Sequence, residues 1–323
     1  MKGMKELKLK AMAKINLGLD VLRKREDGYH ELRMIMQTIR LYDRIQITVT
    51  EAEGIRVKTN LPFLTVGEDN LVYRAARLLM EEFQIRKGVF INLEKHIPVA
   101  AGLAGGSSDA AAVLIGVNRL FRLGLSRTEL MNRGVKLGAD VPYCILRGTA
   151  LAEGIGEKLT PLPAPPACYV LLAKPKAHIS TKFVYGNLKA DQLPFHPDID
   201  GQIEALKAGD LKALAEKMGN VLETVTIPAC PVIQEIKDEM MKMGARNAMM
   251  SGSGPTVFGL FEDKAAARKA YEKLKRGSMA KQVYLTEFFS PAAGSDGAGG
   301  GAEGRRTLQR RETGLKGGGP DDR

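Results

Sequence analysis

The chain contains no tryptophan, and its aromatic residues amount to only 6% of the total. Stacking platforms of the kind that hold single-stranded nucleic acid are therefore scarce. Lysine and arginine are scattered along the chain instead of gathered beside aromatics. The formal charge of +11 thus fits an anionic small substrate or a basic solvated surface, and no nucleic-acid partner is expected. Cysteine is also scarce: Cys144, Cys168 and Cys230 are odd in number and far apart, which suits buried reduced thiols better than a disulfide framework or a zinc site. No apolar run reaches the roughly 18 residues of a membrane span, and Met1–Glu6 lacks the apolar stretch of a signal peptide. The expectation is a cytoplasmic protein without a membrane partner. Missing as well are the G-x-x-x-x-G-K-[ST] loop and the H-R-D, D-F-G and G-x-S-x-G signatures, which excludes ordinary P-loop proteins, protein kinases and serine hydrolases of the α/β type.

What is present begins with a period-two segment. Leu7, Leu9, Ala11, Ala13, Ile15, Leu17 and Leu19 alternate with Lys8, Lys10, Met12, Lys14 and Asn16. Such alternation predicts a half-buried strand, with Lys14 and Asn16 side by side on its non-core face. Asp27-Gly28 supplies a bend, directly followed by Tyr29 and His30, an aromatic and an imidazole able to stack on and hydrogen-bond a base. Further strands are expected at Ile45–Val49, Ile55–Val57 and Val89–Leu93. A helix is expected after the capping residues Asp69-Asn70.

The stretch Pro98-Val99-Ala100-Ala101-Gly102-Leu103-Ala104-Gly105-Gly106-Ser107-Ser108 runs out of the strand Val89–Leu93 and into an apolar helix from Ala110 to Leu120. A helix start exposes unpaired N–H groups and the positive end of the dipole, and glycines let a polyanion approach them. Judged alone, the stretch is either a capped turn or a phosphate cradle. Farther on, Ser126-Arg127-Thr128-Glu129 reads as a capping box. In Gly138-Ala139-Asp140-Val141-Pro142, Gly138 ends a helix and Pro142 is expected to keep Val141 extended, placing Asp140 at a fixed bend as a cap or as a functional carboxylate.

The proline-dense segment Pro161–Pro166 marks a lobe boundary. Beyond it strands are expected at 169–173, 256–261 and 282–288, and helices near 203–218, 232–243 and 264–275, an α+β pattern. The loop Ser251-Gly252-Ser253-Gly254 offers further backbone donors. The expected organisation is an N-terminal lobe over 1–160, a C-terminal lobe over 161–290, and a disordered tail rich in glycine and charge over 291–323. The sequence leaves open whether translation starts at Met1 or Met4.

Taken in order, Ala13-Lys14-Ile15-Asn16-Leu17, Asp27-Gly28-Tyr29-His30, Glu68-Asp69-Asn70-Leu71, the long glycine-serine stretch, Leu137–Pro142 and Ser251–Gly254 resemble the galactokinase, homoserine kinase, mevalonate kinase and phosphomevalonate kinase (GHMP) superfamily. Within it they resemble the branch acting on a cytidine-diphosphate alcohol. The resemblance implies a two-lobed α+β fold, with a βα N-terminal lobe like ribosomal protein S5 and a ferredoxin-like C-terminal sandwich. It implies transfer of the ATP γ-phosphate, with Mg²⁺ whose ligands are unknown, to the 2-hydroxyl of a cytidine-diphosphate methylerythritol in non-mevalonate isoprenoid synthesis. Asp140 would be the general base and Lys14 would stabilise developing charge. Asn16 would orient the alcohol, Tyr29 would stack on cytosine, His30 would read its polar edge, and Thr181 matches a substrate-contacting threonine. Asn70 and Lys95 would contact adenosine, with Pro98 to Ser108 around the phosphates. Three departures stand out, one being an extended tail that matches nothing in the family. Ala101 and Ala104 replace glycines found in many relatives, harmless if neither needs positive φ. Met36 stands where relatives place a second aromatic against the cytosine.

Overall fold

The structure, a computed structural model, describes residues 5–291. The start at Met1 or Met4 and the tail beyond 291 lie outside the described residues. The elements follow as β1 (Glu6–Lys24), β2 (His30–Thr50), β3 (Ile55–Thr59), α1 (Leu71–Glu82), β4 (Gly88–Glu94), α2 (Gly105–Phe121), α3 (Arg127–Gly134), α4 (Val141–Leu146), β5 (Thr149–Gly154) and β6 (Lys158–Leu162). They continue as β7 (Tyr169–Lys174), α5 (Thr181–Asn187), α6 (Ile199–Ala208), α7 (Leu211–Glu216), α8 (Glu223–Ala229), α9 (Val232–Lys242), β8 (Asn247–Met250), β9 (Val257–Phe261), α10 (Lys264–Arg276) and β10 (Gln282–Glu287). The architecture is α+β with two sheets. The first is ordered β3-β4-β2-β5-β6, with β1 also paired to β2; the second is ordered β10-β7-β9-β8. All pairings are antiparallel except β3 with β4.

The alternation in β1 has a consequence that the sequence alone could not fix. Leu7, Leu9 and Ala11 pack on one core, Ala13, Ile15 and Leu17 on a second, and Leu19 and Val21 on the first again. The switches coincide with register shifts against β2 between Met12 and Lys14 and between Asn16 and Gly18. An extra residue in a ladder turns the following side chains to the opposite face. Lys14 and Asn16 lie between the two shifts. They are buried, not displayed on a solvated strand face as alternation suggested.

Two long strands replace the shorter ones expected. β2 runs unbroken through Met34–Ile39, where period-two contrast vanishes because Met34 and Met36 join the first core and Ile35 and Ile39 the second. The helix expected near 203–218 divides at Gly209, which has φ 66°, and Asp210 caps the following α7 by accepting from the Ala213 amide. Val141 is helical instead of extended. Pro142 occupies the first turn of α4, where its missing N–H costs nothing. The α2 helix meets expectation: ten of its residues are buried, from Ser108 to Leu120, so its start faces inward. The capping box at Ser126 and Glu129 is formed.

Candidate active site

The start of α2 opens on a cleft of about 1060 Å³. The residues from Pro98 to Ser107 line it. Ser108 does not, since its hydroxyl turns inward and donates to the Met12 carbonyl at 2.6 Å. Gly102 has φ 74°, and a Cβ there would lie 2.0 Å from the Ser251 carbonyl oxygen. Ser251 Oγ in turn donates to the Gly102 carbonyl at 2.9 Å. The two small-residue loops are therefore in contact, and only glycine permits it. Asn220, fully buried, pins the second loop by donating to the Met250 and Gly252 carbonyls. Ala104 corrects the sequence-based expectation, for it holds φ 53°. Ala101 does not need positive φ, but Ala100 does, at 49°. Left-handed backbone costs a non-glycine residue about 1–2 kcal/mol, so this loop carries strain.

Lys14, whose backbone N–H donates to the Leu103 carbonyl of the loop at 3.2 Å, carries its Nζ to 3.7 Å from Asp140 Oδ2. Asn16, fully buried behind it, accepts from Lys14 Nζ at 2.8 Å and donates to Met34 Sδ at 3.2 Å. Asp140 stands at the start of α4 but makes no side-chain capping bond. Its side chain is 33% exposed, against 6% for Lys14. A carboxylate spared from capping, beside a buried cation, can take a proton from a bound hydroxyl.

The family model for the GHMP kinases N terminal domain matches residues 70–148, and that for the GHMP kinases C terminal region matches 202–279. A 4-diphosphocytidyl-2-C-methyl-D-erythritol kinase from Lachnospira eligens is 57% identical over 288 residues, 89% of this chain and 100% of that one. The chain belongs to the GHMP kinases. A second relative of the same name, from Lachnoclostridium phytofermentans, is 58% identical over 283 residues, covering 88% of this kinase and 97% of the relative. The crystal structure of a 4-(cytidine 5'-diphospho)-2C-methyl-D-erythritol kinase superposes with a TM-score of 0.76 at 34% identity, over 88% of this chain and 100% of the other. A homoserine kinase from Cytophaga hutchinsonii, TM-score 0.71 at 20% identity over 88% of this chain and 96% of the other, shares the fold.

Other predicted residues of the GHMP kinase reach the cleft in different states. Tyr29 is 60% exposed at its rim. His30 is buried, with its ring 5.2 Å from that of Tyr185. Burial, aided by Lys24, lowers the His30 pKa and favours neutral imidazole. Thr181 Oγ1 lies 2.8 Å from Ser253 Oγ, joining α5 to the second glycine loop. Asn70 lines the cleft, but its amide is committed: Oδ1 caps α1 at the Val72 amide and Nδ2 donates to the Thr65 carbonyl. The Lys95 ammonium is buried between Asp43 and Asp109. Burial opposes its charge, but the two carboxylates outweigh it and hold the Lys95 pKa above the ordinary lysine range. Met36 is wholly inside the core and does not line the cleft. The second aromatic there is Tyr185, four residues beyond Thr181 on α5. Ser180 caps that helix, a signal in the sequence that would have placed Thr181 and Tyr185 on one face.

Proposed function

We propose that this kinase transfers the γ-phosphate of ATP to the 2-hydroxyl of 4-diphosphocytidyl-2-C-methyl-D-erythritol, a step of non-mevalonate isoprenoid precursor synthesis. The observation that carries the reading is one cleft lined by three unlike sets of groups: the glycine-serine loop at the start of α2, the Lys14–Asp140 pair, and Tyr29 with His30 and Tyr185. Phosphoryl transfer asks mainly for positioning and for charge stabilisation. The open amides at the start of α2 suit the nucleotide phosphates. Asp140 accepts the proton of the attacking hydroxyl, and Lys14, aligned by Asn16, faces the charge that develops between acceptor and leaving phosphate. Neutral imidazole at His30 retains both a donor and an acceptor for the polar edge of cytosine, while Tyr29 covers its face and Thr181 meets the alcohol. In this reading the N-terminal lobe ends near residue 160, within β6, the last strand of the first sheet.

Among the described residues, no group of three or more His, Cys, Asp or Glu could hold a metal ion by itself. A Mg²⁺ held by the nucleotide phosphates and water would find the Ser107 hydroxyl on the cleft wall as a protein oxygen. Such an ion would neutralise phosphate charge. ADP release measured over a panel of plain alcohols and cytidine-diphosphate alcohols tests the reading. Turnover is expected with the cytidyl alcohol; turnover with homoserine or mevalonate in its place would refute it.

A further inference from the structure

The backbone from Lys95 to Asp109, which carries the glycine loop, is fastened at both ends by one buried ammonium. Lys95 Nζ donates to Asp109 Oδ2 at 2.6 Å, in the second turn of α2, and to Asp43 Oδ2 on β2. Asp43 is fully buried and does not line the cleft. Its other oxygen accepts the His96 amide and, at 2.8 Å, the Ile97 amide. Asn60 grips the main chain of Lys95 from a second side, accepting its N–H at 2.8 Å and donating to its carbonyl at 3.1 Å.

Two features show that this fastening acts on the loop. A Cβ at Gly105 would lie 3.2 Å from Lys95 Nζ, so the ammonium occupies the space beside the first residue of α2 that a side chain there would need. Between the two fastened ends, Ala100 and Ala104 stay in left-handed backbone, which persists only where the surroundings over-determine it. With two carboxylates against one ammonium, Lys95 has no spare positive charge to offer a nucleotide. Asp109 Oδ1 is buried without a partner, and burial, opposed by the Lys95 ammonium, holds the Asp109 carboxyl well above the usual carboxylate range.

We propose that Asp43, Lys95 and Asp109 form a clip that sets the shape of the phosphate cradle, with Asp43 a positioning residue for the nucleotide. The inference rests on the kinase reading above. The test is Asp43→Asn, which keeps an acceptor for the His96 and Ile97 amides but removes the charge that holds Lys95. KM for ATP and for the cytidine-diphosphate alcohol would be measured, together with the Kd of a non-hydrolysable ATP analogue. The expected result is a rise on the order of tenfold in the ATP KM and in the analogue Kd, with the alcohol KM within about twofold of wild type. An unchanged ATP KM, or an equal rise in both KM values, overturns the clip. Asp109→Asn, which preserves shape, carries the same expectation and decides the matter if Asp43→Asn does not fold. Wild-type protein that binds the analogue without ADP release would instead refute the kinase reading, and the analogue Kd of the variants still judges the clip.

Discussion

Lys14 and Lys95 are two buried lysines on the wall of one cleft, and their surroundings differ in the way their duties should. Lys95 is held by two carboxylates, both buried. Lys14 has a neutral amide at 2.8 Å and a single, partly exposed carboxylate at 3.7 Å. An ammonium enclosed by two carboxylates is already neutralised and serves as a fastening. One with a loose, single counter-charge keeps field to spend on a developing anion. A buried lysine in a cleft is therefore not by itself a catalytic lysine; the count and distance of its carboxylates decide.

The contrast can be broken at its acceptor end most severely. Asp140→Ala removes the base, and kcat is expected to fall by about 10²–10⁴-fold with analogue binding nearly intact; wild-type turnover in that variant would remove Asp140 from the chemistry. Lys95→Met leaves Asp43 and Asp109 buried without their counter-charge, which should cost about 3–5 kcal/mol of stability, read from the denaturant midpoint. Lys14→Met should instead lower kcat by about 10²–10³-fold and shift the unfolding midpoint far less than Lys95→Met. Equal destabilisation by both would erase the distinction between the two lysines. The mildest change is Tyr29→Ala. It should raise KM for the cytidine-diphosphate alcohol about fivefold to tenfold, the lower end for loss of a base stack at an exposed site, and leave the ATP KM alone.

How far the sequence could be read depended on whether the controlling contacts were local. The capping box at Ser126, the bend at Asp27-Gly28 and the apolar helix after Gly105 each rest on neighbours within a turn or two, and each is present. The α6–α7 break at Gly209 is equally local but leaves no mark in the hydrophobic pattern, because the apolar period continues across it. Met36 and Ala104 failed for a different reason. Whether a strand residue faces a core or a cleft, and whether a loop residue must adopt positive φ, follows from partners far along the chain.

By itself the sequence determined that a glycine-serine stretch opens an inward-facing helix, that a lysine and an asparagine sit two apart on a strand, and that an aspartate stands at a bend where a helix has ended. Backbone preference, period and capping chemistry are properties of short segments. Only the tertiary structure decided which way Lys14 points, because the two shifts that turn it arise from the register of β1 against β2. It alone decided that Lys95 is consumed by Asp43, 52 positions away, since no local pattern records which buried carboxylate a strand brings beneath a loop.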